Sequence, residues 1–206
     1  VNTYDRRVKL LATCLSGLAG YVDGLGFLAL KGFFVSFMSG NSTRLSVSLA
    51  EGSENALIAG GLIAIFVLGV IIGSLVGSLS RDRRVAVLAL VTSLLTIAAL
   101  LSDFAVTRLA ILFMALAMGA ENAVFERDGE VLGLTYVTGA LVKCGQRIAI
   151  ALRGGDRLAW LPYLVLWLGL VMGAFLGALT YPVLGLDGLW IAAVVSAILA
   201  FAAHRL

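Results

Sequence analysis

Two stretches of this sequence carry hydroxyls, a glycine and a cation inside otherwise apolar surroundings. The first reads FFVSFMSGNSTRLSVSLA (33–50) and the second VLGLTYVTGALVKCGQRIAIAL (131–152). Gly40 and Gly139 would permit a helix to break, and a broken helix leaves free N–H groups and a partial positive end. Ser36, Ser39, Ser42, Thr43, Thr135 and Thr138 can cap those groups or bind a solute. Arg44 and Lys143 each follow the glycine by four residues. Two such helix N-termini facing one another, with their cations, would form an anion site. The alternative is that both cations snorkel to an interface or pair with acids for stability.

Two acids form the second constellation. Asp23 sits inside the apolar run GYVDGLGFL, and Glu121, beside Asn122, sits inside MGAENAVF. A carboxylate at the centre of a membrane helix costs roughly 2.5–3.5 kcal/mol, so each should face protein or water. They could hydrogen-bond a solute or couple transport to protons. The structural alternative is a salt bridge, Asp23 with Arg44 or Glu121 with Lys143.

The elements that must position these residues are membrane helices. Of 206 residues 61% are hydrophobic and only 13% charged, about half the charged share of a soluble domain. The mean hydropathy is +1.05. Gly is abundant at 24 and Pro scarce at 2, which suits closely packed membrane helices. Six apolar segments, roughly 8–29, 56–79, 84–102, 106–125, 158–180 and 187–204, each approach the ~20 residues that a span requires. The basic start (Arg6, Arg7, Lys9) resembles a signal peptide, but Asp23 and the absence of a small-x-small cleavage site argue against one. Trp160, Trp167, Trp190, Tyr163 and Tyr181 fall in or beside the last spans, and those near span ends suit an interfacial belt.

The net charge of +3 reads as topology rather than as a nucleic-acid surface. If segments 33–50 and 131–152 enter and return without crossing, Arg6, Arg7, Lys9, Arg81, Arg83, Arg84, Lys143, Arg147, Arg153, Arg157 and Arg205 fall on one side. Glu51, Glu54, Asp103 and Asp187 fall on the other. The excess of basic residues marks the cytoplasmic face. The expectation is an all-α polytopic protein with six crossings, both termini cytoplasmic, and two interrupted, re-entrant segments.

The halves 1–104 and 105–206 resemble each other. Gly20 and Asp23 recur 99 residues later as Gly119 and Asn122, SFMSG (36–40) as TYVTG (135–139), and Arg44 as Lys143. The stripe Gly69, Gly73, Gly77 recurs 100 residues later as Gly169, Gly173, Gly177. Three crossings per half invert the second copy, a common transporter architecture. The stripes are expected to pack the halves together or to form a homodimer interface.

No nucleotide loop, zinc motif or nucleophile elbow occurs. Cys14 and Cys144 have no metal or disulfide spacing and are expected to be small buried residues. The ERDGE segment (126–130) reads as a solvated turn. No enzyme activity, metal, cofactor or nucleic-acid partner is expected.

GYVDGLGFLAL, FFVSFMSGNSTRL, MGAENAVF and LTYVTGALVK, in that order, resemble the YoaK family of bacterial inner-membrane proteins, a family of unknown function. The resemblance spans essentially the whole chain. It rests on Gly20, Asp23, Ser39, Gly40, Asn41, Asn122, Ala123, Thr138 and Gly139, and it implies a bacterial inner-membrane location. Glu121 departs from it, since the family usually shows Gln there.

Three functions stay open. The first is a transporter or channel-like facilitator for a small, anionic solute held near the midplane. Its site would draw on Asp23, Ser39, Gly40, Asn41, Arg44, Glu121, Asn122, Thr138, Gly139 and Lys143. The second is a proton-coupled carrier of a cationic or neutral solute using Asp23 and Glu121. The third is a membrane scaffold assembled through the glycine stripes.

Overall fold

The computed structural model describes residues 6–127, 130–131 and 137–205. They form an all-α protein with helices α1 (Arg6–Ala29), α2 (Met38–Ala50), α3 (Asn55–Leu79), α4 (Arg83–Asp103), α5 (Thr107–Glu121), α6 (Val137–Leu152), α7 (Leu161–Leu184) and α8 (Leu189–Ala203). α5 tightens into a 3-10 turn at Asn122–Phe125, and another such turn, Gly185–Gly188, joins α7 to α8. Glu126–Arg127 and Glu130–Val131 form a small antiparallel ribbon, Glu126 paired with Val131 and Arg127 with Glu130.

Five stretches are long and apolar enough to cross a membrane: Arg6–Ala29, Asn55–Leu79, Arg83–Asp103, Thr107–Phe125 and Leu161–Ala203. The last, 43 residues long, would measure about 65 Å if straight, twice the hydrocarbon thickness. It does not run straight. Gly185 takes φ +57, and Ile191, Ala192 and Val195 line one groove with Gly169, Met172 and Gly173. α8 therefore runs back against α4 and α1, and faces α7 only across that groove.

Glycine decides which helices touch. On α7 a Cβ at Gly173 would land on Gly17 O of α1, and one at Gly177 on Tyr21 O. On α3 a Cβ at Gly69 would land on Leu116 O of α5, and one at Gly73 would lie 2.8 Å from Ala120 O. The reciprocal contacts match: Gly20 abuts Leu170 O and Ala174 N, and Gly119 abuts Phe66 O and Val70 N. Contact order rises together along both partners, so α1 runs parallel to α7 and α3 parallel to α5. The stripes thus join one half of the chain to the other, and their faces at Gly69, Gly73, Gly173 and Gly177 are filled from within.

These pairs also correct the register of the stripes. Leu116 lies 99 residues after Gly17, but Gly173 lies 104 after Gly69, not 100. Gly69 therefore matches Gly173 rather than Gly169.

α4 and α8 run antiparallel. Trp190 Nε1 donates to Asp103 at 3.2 Å at the end of α4, and Thr92 pairs with Ser196 further along. Thr92 Oγ1 donates to Leu88 O at 2.8 Å, which leaves Ser196 Oγ to donate to Thr92 Oγ1 at 2.9 Å. Thr92 and Ser196 are themselves 104 residues apart, so this bond joins matched positions. Thr92→Val should lower stability by only about 0.6 kcal/mol, as single interhelical hydrogen bonds in membranes do. Reversible unfolding in mixed micelles would measure it.

Cys144 is buried, as expected, whereas Cys14 is exposed. It lines the apolar groove between α1, α7 and α8, a surface suited to a small, soft side chain.

Candidate functional site

The first interrupted segment is built by a helix ending that turns the chain back on itself. α1 closes with Gly32 N–H donating to Phe27 O (2.8 Å) and Lys31 N–H to Leu28 O (3.3 Å). Lys31 takes φ +52 and Gly32 φ +111, the left-handed ending that reverses a chain after a helix. Residues 33–37 then descend beside α1. Asp23 Oδ1 accepts Val35 N–H at 2.7 Å and Ser36 N–H at 2.8 Å. Asp23 lies six residues before Ala29, so the chain dips by about 9 Å.

Asn41, wholly buried, closes the dip. Its Oδ1 accepts Phe34 N–H at 3.0 Å and its Nδ2 donates to Phe34 O at 2.7 Å. It thus does for Phe34 what a neighbouring strand would. The rings of Phe27, Phe34 and Phe37 pack in sequence, with centroids 4.9 and 5.2 Å apart. Gly40 lies against Phe37 and Phe34, where a Cβ would come 2.6 Å from Phe37 Cδ1.

α2 then climbs back along α3. Ser39 and Arg44 are exposed. The hydroxyls of Ser42, Thr43 and Ser46 donate to carbonyls one turn back. Arg44 places its guanidinium 5.1 Å from the Phe33 ring centroid, so its contact is a cation–π stack rather than the suggested ion pair with Asp23.

The second half matches only in part. Asn122, at the position of Asp23, donates from Nδ2 to Met118 O at 2.9 Å. Arg83 Nη1 reaches Ala123 O at 3.4 Å, and Arg84 stacks on Phe125. On α6 Gly139 is buried while Thr138 and Lys143 are exposed. Lys143 Nζ lies 6.0 Å from the Tyr163 ring centroid. Thr135 and Tyr136 lie outside the described residues.

Glu121 stands apart. Its side chain is wholly buried, and neither carboxyl oxygen has a hydrogen-bond partner among the described residues. The pairing with Lys143 considered from sequence is not formed. A buried carboxyl without a partner is costly as a charge. It is tolerable as a neutral acid, or with a cation or donor beside it.

The proposed partners of the anion site are not brought together. α2 packs on α3 and α6 on α7, and the two share no packed interface. The N–H groups of Val35 and Ser36, just ahead of α2, already hold the carboxylate of Asp23.

Sequence reasoning passed over Ser16 and Tyr21. Ser16 Oγ donates to Leu166 O of α7 and Tyr21 Oη to Gly188 O, both at 3.0 Å. The available signal was their spacing with Gly17 and Gly24 on one side of the first span.

A family model described as a protein of unknown function (DUF1275) matches residues 11–202. The UPF0700 transmembrane protein RA0705 of Rhizobium meliloti (strain 1021) is 38% identical over 197 residues, covering 95% of this chain and 86% of that protein. No solved structure matches. With the apolar helices above, these likenesses identify a multi-pass membrane protein.

Proposed function

The chain belongs to the DUF1275 family of proteins of unknown function, and on that premise we propose that it carries a small neutral or cationic solute across the bacterial inner membrane, with the carboxyl of Glu121 as its proton-coupling group. Three crossings per half, α1, α3, α4 and α5, α7, α8, account for the helix directions. α1 and α7 run one way, α3 and α5 the other, and α4 opposes α8. Two four-crossing halves would instead set α4 parallel to α8. The recurrence of one interface at offsets of 99 and 104 supports two inverted copies. Both termini then face the cytoplasm, by the positive-inside rule.

The observation that carries the proposal is the buried carboxyl of Glu121, without a partner among the described residues. Packing alone would accept an apolar residue there, and a scaffold gains nothing from a lone acid in its core. An acid that alternates between a bound proton and a bound solute has a reason to lack a permanent partner. The anion-carrier reading ranks lower because Asp23 already supplies the negative charge at the first broken segment.

The test is pH-gradient-driven flux in proteoliposomes holding a pH-sensitive dye, with a panel of small neutral and cationic solutes. Wild type should move protons when its solute is added. Glu121→Gln should fold alike and fall to the level of empty vesicles. Full coupling in Glu121→Gln would reject the assignment. Flux of anions alone, lost in Arg44→Ala and Lys143→Ala, would restore the anion reading.

A further inference from the structure

We propose that the groove between the first turns of α1 and α7 is a binding site for an anionic phospholipid. The groove has a volume of about 710 Å³ and is rimmed by Arg6, Arg7 and Lys9. Its walls are apolar: Leu10 from α1, and Leu161 and Val165 from α7. Its floor includes the buried Ala12 and Leu166.

The charges at the rim call for an anion. The N-terminus of a helix already carries a partial positive charge, and cations there are unfavourable. α1 nonetheless opens with Arg6, Arg7 and Lys9, and its first turn holds no acid. The acid that precedes α1 in the sequence, Asp5, lies outside the described residues, and the headgroup site rests on Arg7 and Lys9. The one hydroxyl in the groove, Thr13, donates to Lys9 O at 3.0 Å, so it makes no demand on a ligand.

The walls exclude a small ion as the whole ligand. Leu10 is 65% exposed, Leu161 40% and Val165 39%. These walls belong to membrane-crossing helices and meet acyl chains, whereas an inorganic anion would satisfy only the rim. A plain hydrocarbon would cover the walls and leave Arg7 and Lys9 unmatched. A phospholipid with net negative charge meets both demands: its phosphate sits at Arg7 and Lys9, and one acyl chain runs along Leu10, Leu161 and Val165. Basic pockets between membrane helices hold anionic headgroups in this way. The site needs only the membrane embedding and is independent of transport.

The test uses the full chain in neutral detergent, with thermal unfolding followed by tryptophan fluorescence. Phosphatidylglycerol, phosphatidylcholine and inorganic phosphate are added in separate arms. Phosphatidylglycerol alone should raise Tm in a saturable way. Arg7→Gln/Lys9→Gln, altered on the rim, should keep the unliganded Tm and bind phosphatidylglycerol about tenfold or more weakly, given roughly 1 kcal/mol per basic residue near an anionic headgroup. An equal shift with phosphatidylcholine would overturn charge recognition. A shift with inorganic phosphate alone would overturn the lipid. An undiminished shift in the double variant, or none in wild type, would overturn the site.

Discussion

Gly173→Leu is expected to remove folded protein from the membrane, while Gly61→Ala leaves it intact. At Gly173 a Cβ would fall on Gly17 O, with Gly17 C at 2.8 Å and Gly17 Cα at 3.0 Å. All three are backbone atoms of α1, so no rotamer change can relieve the clash. The helices must part along their length, and the neighbouring contacts at Gly20 and Gly177 part with them. Overpacking costs 1–3 kcal/mol even where side chains can adjust, so a loss of at least about 3 kcal/mol is expected here. Gly61 has nothing within 4 Å of an added Cβ, and Ala is the better helix former. Gly69→Leu should reproduce the defect, because Gly69 meets Leu116 O as Gly173 meets Gly17 O. Detergent extraction followed by size-exclusion chromatography and thermal unfolding would measure all three. A folded, monodisperse Gly173→Leu would show that α1 and α7 do not touch as described.

Much of the fold was legible because hydrocarbon sets a length and glycine marks close contacts. Segments 8–29, 56–79 and 84–102 correspond to α1, α3 and α4 within two residues. The separation of α7 from α8 was legible as the gap between segments 158–180 and 187–204, although α7 runs on to Leu184. The stripe register was not. GxxxGxxxG looks the same after a shift of four residues, so Gly69 aligns equally with Gly169 or Gly173 until the partner helix distinguishes them. The Gly20–Gly119 offset survived because Asp23 and Asn122 break that self-similarity.

The candidate site was legible in its residues and not in its roles. Asp23, Asn41, Glu121 and Asn122 all turn out buried, as polar residues in apolar runs should be. What each one binds depends on the path of residues 33–37, and that path follows from a left-handed lysine, Lys31, which local preference does not anticipate. Without it, Arg44 was the natural partner for Asp23. With it, two backbone N–H groups arrive first, and Arg44 is left to Phe33. Glu121 shows the converse. A lone acid in MGAENAVF signals chemistry from sequence alone, but only the structure reveals that no described residue answers it.

Asp23 provides the sharpest separation of structure from coupling. Asp23→Ala should destabilise the protein by roughly 2–6 kcal/mol, because it strands two buried N–H donors at about 1–3 kcal/mol each. Val35 is wholly buried and Ser36 nearly so, so water cannot replace the lost acceptor. Asp23→Asn keeps an oxygen where Oδ1 now accepts both bonds, and it should fold nearly as well as wild type. The second half already carries an amide, Asn122, at the matched position. If Glu121 is the coupling group, Asp23→Asn should also retain solute-driven proton movement, while Asp23→Ala loses folded protein and flux together. The decisive measurement is coupled flux per folded molecule, with the folded fraction read from thermal unfolding. A well-folded Asp23→Asn that no longer couples would move the protonatable site from α5 to α1. The dip of residues 33–37 would then be held by the same carboxyl that binds the proton, and its two N–H bonds would weaken each time the proton arrived.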